Sequence, residues 1–153
     1  MRGYASLRDD VVTYFAERFG VDLSVLDGFL FVEHAEEIWA ATAAAPPGLS
    51  LARPAGVRAL RRTESGFKPT SAFLTLLGER VRAGRAEVET QENLAALLLG
   101  KDLPCSLGPG FAAISLRGDI VGCGAVREGR IRALIPTGRK KELLDALSTP
   151  RGA

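Results

Sequence analysis

Cys105, in the string Asp102-Leu103-Pro104-Cys105, is the residue whose type best suits covalent chemistry. A cysteine attacks an electrophilic carbon as its thiolate, and that thiolate needs a base, a cation or a helix N-terminus beside it. Lys101 is close in sequence, but Cys105 follows an expected helix that ends at Gly100. The negative end of a helix dipole disfavours an anion there. Cys105 therefore reads as a small side chain beneath a loop, and Cys123, between Gly122 and Gly124, as a packing residue inside a strand. His34 stands beside Glu33 and Glu36, with no hydroxyl or thiol at a telling spacing. Two cysteines and one histidine make neither a disulfide framework nor a metal site. No catalytic residue, metal or cofactor is expected.

The basic residues suggest binding instead. Arg139, Lys140 and Lys141 fall in the first turn of an expected helix, with Thr137 as its cap. Cations there oppose the helix dipole by about 0.3–1 kcal/mol each when exposed. A phosphate would reverse that sign, because free N–H groups and cations would converge on it. Arg130 and Arg132 alternate along the preceding strand and share one of its faces. Arg61, Arg62 and Lys68 flank the entry to "KPTSAF", whereas Arg80, Arg82 and Arg85 read as a solubilising loop cluster. Phe67, between Gly66 and Lys68, is a candidate for stacking on an unpaired base. Phe111 and Trp39 read as core residues.

The totals agree with a binding module. The chain has 153 residues, 46% of them apolar, enough for one packed domain with a smaller appendage. No apolar run reaches the length of a membrane span, and the charged N-terminus lacks the apolar core of a signal peptide. A cytoplasmic protein is expected. The net charge of +2 hides an asymmetry: residues 1–55 hold 4 Lys/Arg against 8 Asp/Glu, and residues 56–153 hold 16 against 10. The basic remainder points to an anionic partner.

The elements that must position these residues are legible in outline. Ser6 to Phe19 is amphipathic, and Gly20 ends it. "FLFVEH" and "IWAATA" form two strands around an acidic turn. Pro46, Pro47, Gly48, Pro54 and Gly56 break the chain and mark a boundary near residue 55. Beyond it come a strand "GVRALRRT", a helix from Pro69 through "SAFLTLLG", a short strand "RAEVE", and a helix "TQENLAALLLG" capped by Thr90 and Gly100. "GFAAISL", "IVGCGAV" and "RIRALIP" form a three-stranded meander through Arg117-Gly118 and Glu128-Gly129, followed by a final helix "GRKKELLDAL". Neither "GPGF" nor "GCGAV" leads from a strand into a helix, so no loop is expected to cradle a dinucleotide-like methyl donor.

The order of these motifs resembles a known domain. A helix ending Leu99-Gly100 is followed by Leu103-Pro104, a strand, Gly118, Gly122 and Gly124, then a turn at Gly129 and a strand ending Pro136-Thr137-Gly138-Arg139-Lys140. This is similar to the RNA-binding PUA-like domain found C-terminal to the catalytic domain of Sun-type RNA cytosine-C5 methyltransferases. The upstream "KPTSAF" fits the same pattern, and the resemblance covers residues 56–147. The string around Cys105 is also like the nucleophile string of those enzymes, but it lacks their parallel strand and donor loop. Thr137 stands where the family usually has Lys, and Lys101 where it has an acidic residue.

The resemblance implies an α+β fold, a PUA-like curled mixed sheet closing as a pseudo-barrel with short helices. It would comprise residues 56–147, preceded by a small α/β N-terminal segment, residues 1–55, and followed by a flexible tail, residues 148–153. It also implies a stand-alone, non-catalytic protein that binds structured rRNA or tRNA. The residues it would use are Arg62, Lys68, Arg130, Arg132, Arg139, Lys140 and Lys141. The alternative is an adaptor subunit that lends RNA affinity to a separately encoded RNA methyltransferase through its acidic segment.

Overall fold

A computed structural model describes residues 4–42 and 56–148. The breaker prolines and the tail beyond Ser148 lie outside the described residues. The chain is mixed α+β. Helix α1 (Tyr4–Phe19) presents Leu7, Val11, Phe15 and Phe19, four residues apart, to the core, and the last three are fully buried. A short α2 (Leu23–Leu26) follows. The first sheet is an antiparallel meander of β1 (Phe29–His34), β2 (Glu37–Thr42), β3 (Val57–Thr63) and β4 (Gly66–Pro69). Its β1–β2 turn holds Ala35 and Glu36 at φ 50° and 67°, the left-handed pair that a tight hairpin requires.

β2 pairs with β3 across the place where a domain boundary is expected. One core draws on both sides of that place: Phe15, Phe31 and Ile38 pack with Leu60, Phe73 and Leu74. The segments are also tied by hydrogen bonds. Arg18 donates through Nε to the Phe111 carbonyl at 2.6 Å, and the N–H groups of Arg82 and Ala83 donate to the Phe19 carbonyl. The cluster read as solubilising has structural work: Arg82 pairs with Asp22 at 3.2 Å, and Arg85 donates to the carbonyls of Val81 and Gly118.

Helix α3 (Ser71–Leu77) starts two residues later than expected. Pro69 ends strand β4 rather than opening the helix, and Thr70 is the cap, its hydroxyl accepting the Phe73 N–H at 3.1 Å. A 3-10 turn (Gly78–Arg80) leads to β5 (Arg85–Val88), and α4 (Gln91–Leu98) follows. Thr90 caps α4 by accepting the Asn93 N–H. Gly100 closes it, with Lys101 N–H on Ala96 O and Gly100 N–H on Leu97 O. The remaining elements are β6 (Leu103–Pro104), β7 (Gly110–Leu116), β8 (Asp119–Arg127), β9 (Arg130–Ala133) and α5 (Thr137–Ser148).

The second sheet has the order β5-β7-β8-β9-β6 and is curled, with β5 parallel to β7 and the other pairs antiparallel. β7 and β8 are covered on both faces, by the first core on one side and by α4 and α5 on the other. That explains their nearly continuous apolar sequence. Gly122 and Gly124 are required by close approach. A Cβ at Gly122 would lie 2.5 Å from Ile135 Cγ1, and one at Gly124 would lie 2.9 Å from both Ile114 Cδ1 and Ile131 Cδ1.

One surface carboxylate is tuned by the fold. Glu87 accepts the Ser115 hydroxyl and the Gly118 N–H, the latter at 3.1 Å. The Ser115 bond is the main cause that holds its carboxyl below the usual range. The stability this contributes is present above the unfolded-state pKa of about 4.3 and is lost as pH falls through the lower folded value. Glu87→Gln is expected to melt lower at neutral pH and to lose that part of the acid dependence. Thermal melts from about pH 3 to about pH 6, bracketing the free value, check this.

Candidate nucleic-acid interface

Cationic residues gather around the start of α3, beside β3, β4 and the first residues of α5. Arg58 and Arg61 are three apart, and in a regular strand they would point to opposite faces. A bulge opposite Ile38 and Trp39 changes the register, so Ala59 and Leu60 are both buried while Arg58 and Arg61 are both exposed on the outer face of the sheet. Lys68 is the direct cross-strand partner of Arg61 and shares that face. It lies on a strand, not in a helix's first turn. Arg58 is held by Glu37 at 2.7 Å. Arg61 and Lys68 make no ion pair among the described residues.

These three cations border a cleft of about 140 Å³ whose other walls are Thr70, Ser71, Leu134 and Pro136. The Thr70 hydroxyl donates to the Arg58 carbonyl and so ties the cap of α3 to β3. Ser71 is 7% exposed, and its hydroxyl accepts the Cys123 N–H at 2.9 Å and donates to the Leu134 carbonyl at 3.4 Å. The wall of the cleft is thereby fixed to both sheets.

Ser71 and Pro136 also line a second hollow, of about 250 Å³, which Arg139 borders. Here the expected cap is corrected. Thr137 is the first residue of α5, and the Pro136 carbonyl accepts the Lys140 N–H at 2.9 Å, so the helix starts without a side-chain cap. Its first turn contains no acidic residue. Arg139 reaches Glu142 at 3.1 Å, whereas Lys140 and Lys141 make no ion pair among the described residues.

A third group continues along β9. Arg130 and Arg132 face outward, opposite Arg127 and Ala125 of β8. With Asp102 they line a groove of about 310 Å³. Asp102 and Glu128, which also lines the groove with Arg127, offset part of this charge: the Asp102 carboxylate accepts Arg132 Nε at 3.4 Å, and its backbone carbonyl accepts Arg130 Nη2 at 2.9 Å. Leu134, the next residue on that side of the chain, lines the first cleft, and two residues of extended chain cover about 6.6 Å. The two clefts share Ser71 and Pro136, whereas the groove shares no lining residue with them and is linked to them only along the chain from Arg132 to Leu134; the three together are termed the basic strip.

Arg62 stands apart. It lies on the inner side of the first sheet, where it pairs with Glu33 and covers the Phe67 ring at 5.3 Å. Phe67 in turn packs edge-on against Tyr14, with centroids 5.7 Å apart, and is half-buried rather than open for stacking. Trp39 is half-buried, on the outer face and outside the core, and its indole N–H is buried and meets no acceptor among the described residues. Sequence reasoning missed Arg58 and Arg127 as members of the strip. The pairing of Arg127 with Arg130 follows from the two-residue turn at Glu128-Gly129, so that signal was available.

Both cysteines are packed against neighbouring residues. Cys123 is 1% exposed, and burial pushes its thiol up to about 12, with Lys68 opposing the shift. It is a neutral thiol at physiological pH. Cys105 is half-buried against the second core, and its N–H donates to Gly129 O at 2.8 Å. Among the described residues no helix is long and apolar enough to cross a membrane. Comparison with protein-family models and with curated proteins finds no match to this chain.

Proposed function

We propose that the chain binds structured RNA, of the rRNA or tRNA class, as a PUA-like domain and performs no catalysis itself. One juxtaposition carries this reading. Arg61 and Lys68, cations without ion pairs among the described residues, converge beside Ser71, and the strip through Arg132 and Arg130 extends from them. Helical RNA offers a protein mainly phosphates, 2′-hydroxyls and shape, and a row of Arg and Lys on a rigid sheet suits that chemistry. The curled five-stranded mixed sheet is compatible with a PUA-like pseudo-barrel and supports the same reading. Cys105 has no chemical role in it.

The start of α5 gives a test in which binding and stability move in different directions. Arg139→Ala with Lys140→Ala removes two cations from the positive end of a helix, so the melting temperature is expected to stay the same or rise. Affinity for a hairpin RNA is expected to fall across many sequences, with the salt slope flatter by about one to two units. The control is Arg80→Ala with Arg117→Asn, which removes equal charge away from the strip; asparagine tolerates the φ of 52° at residue 117. Equal losses in both double variants would reduce the effect to net charge and remove the site.

A further inference from the structure

We infer that the outer face of the first sheet takes an unpaired stretch of RNA, with one base stacked on Trp39 and its phosphates held by Arg58, Arg61 and Lys68. The inference rests on the RNA-binding reading and adds the class of RNA element this part of the site receives.

The sheet buries one face only. Phe31, Ile38, Ala40 and Leu60 point into the core, and the alternate positions point away from it. Trp39 is one of those alternate positions. Its neighbours across the strands are Val32 on one side and Arg58 on the other. Directly paired residues share a face, so a flat aromatic ring lies beside the row of cations that borders the cleft.

An aromatic platform next to fixed cations is what an unpaired nucleotide needs: a surface for its base and charge for its phosphate. A duplex gains nothing from the ring, because its bases are already stacked on one another. Among the described residues Glu37 is the one carboxylate in this part of the face; it pairs with Arg58 and leaves Arg61 and Lys68 as the excess positive charge. Charge therefore favours a polyanion over an acidic or neutral peptide.

The chain has one tryptophan, so its emission reports on this face alone. The experiment titrates the whole chain at low salt with a short oligo-uridine and, separately, with a blunt RNA duplex of the same length. The expected result is quenching of Trp39 by the single strand and little change with the duplex. Trp39→Leu should weaken single-strand binding by about 5- to 150-fold, the range for loss of one stacked base, and leave duplex binding unchanged. If that variant does not fold, the quenching in the parent protein decides alone. RNA binding with unchanged emission would overturn the inference and leave the basic strip standing. An emission change that follows protein concentration without RNA would make the face a self-association surface and overturn it too. Failure of both RNAs to bind would remove the RNA-binding reading itself.

Discussion

Phe73→Ala is expected to lower folding stability by about 3–5 kcal/mol, the range for truncating a fully buried phenylalanine. Phe73 has no exposed surface and sits where three elements meet. Its ring contacts Phe15 of α1 at 5.2 Å between centroids, and Phe29 and Phe31 of β1 at 5.3 and 6.3 Å. Edge-on aromatic pairs add about 0.5–1.5 kcal/mol beyond the area they bury. No single neighbour can fill the space, because the three rings are held on two other elements, α1 and β1. Chemical denaturation checks this through the fall in midpoint at constant slope. A loss below about 1 kcal/mol would mean that α3 is not anchored as described, since ordinary surface changes stay within about 0.5 kcal/mol. The consequence reaches the interface, because Thr70 and Ser71 at the start of α3 form the wall of the cationic cleft.

Arg61→Ala with Lys68→Ala is expected to produce the largest loss of RNA affinity. The two side chains are cross-strand partners, and neither makes an ion pair among the described residues. Their full charge is therefore available to phosphates. Each phosphate contact contributes about −0.9 to the slope of log K against log salt on a duplex, so losing two flattens it by about 1.8. If the difference vanishes near 1 M salt, the loss at about 0.1 M is roughly 60-fold. The parent fold should survive, since Arg61 is exposed and Lys68 only half-buried. Titrations of one hairpin RNA at several salt concentrations, parent against variant, supply both numbers.

The parts legible in the sequence are those specified by neighbours along the chain. The β7–β8–β9 meander is marked by turns at Arg117-Gly118 and Glu128-Gly129, all four residues at positive φ. α4 is marked by Thr90 and Gly100 at its ends. The hidden parts depend on partners far away. Nothing local places β5 parallel to β7, or β2 beside β3. The bulge that puts Arg58 and Arg61 on one face is settled by pairing with β2 and by burial of both Ala59 and Leu60. Lys68 reads as a binding residue in the sequence, but its strand and its pairing with Arg61 are set by β3. Arg62 illustrates the converse. It is adjacent to Arg61 in sequence, yet the alternation of the strand turns it inward to Glu33.

The measurement that bears most directly on the central claim is the equilibrium binding of the unaltered chain to a structured RNA across a salt series. If roughly five cations of the strip each neutralise a phosphate, log K should fall linearly with log salt at a slope of about −4 to −5. Affinity should change little when the sequence of the helix is changed at constant shape, because phosphate contacts carry no sequence information. The contradicting result is an absence of binding at low salt, or binding whose slope is near zero. Either would mean that the strip from Arg130 to Lys68 is a solvated surface and not an RNA interface.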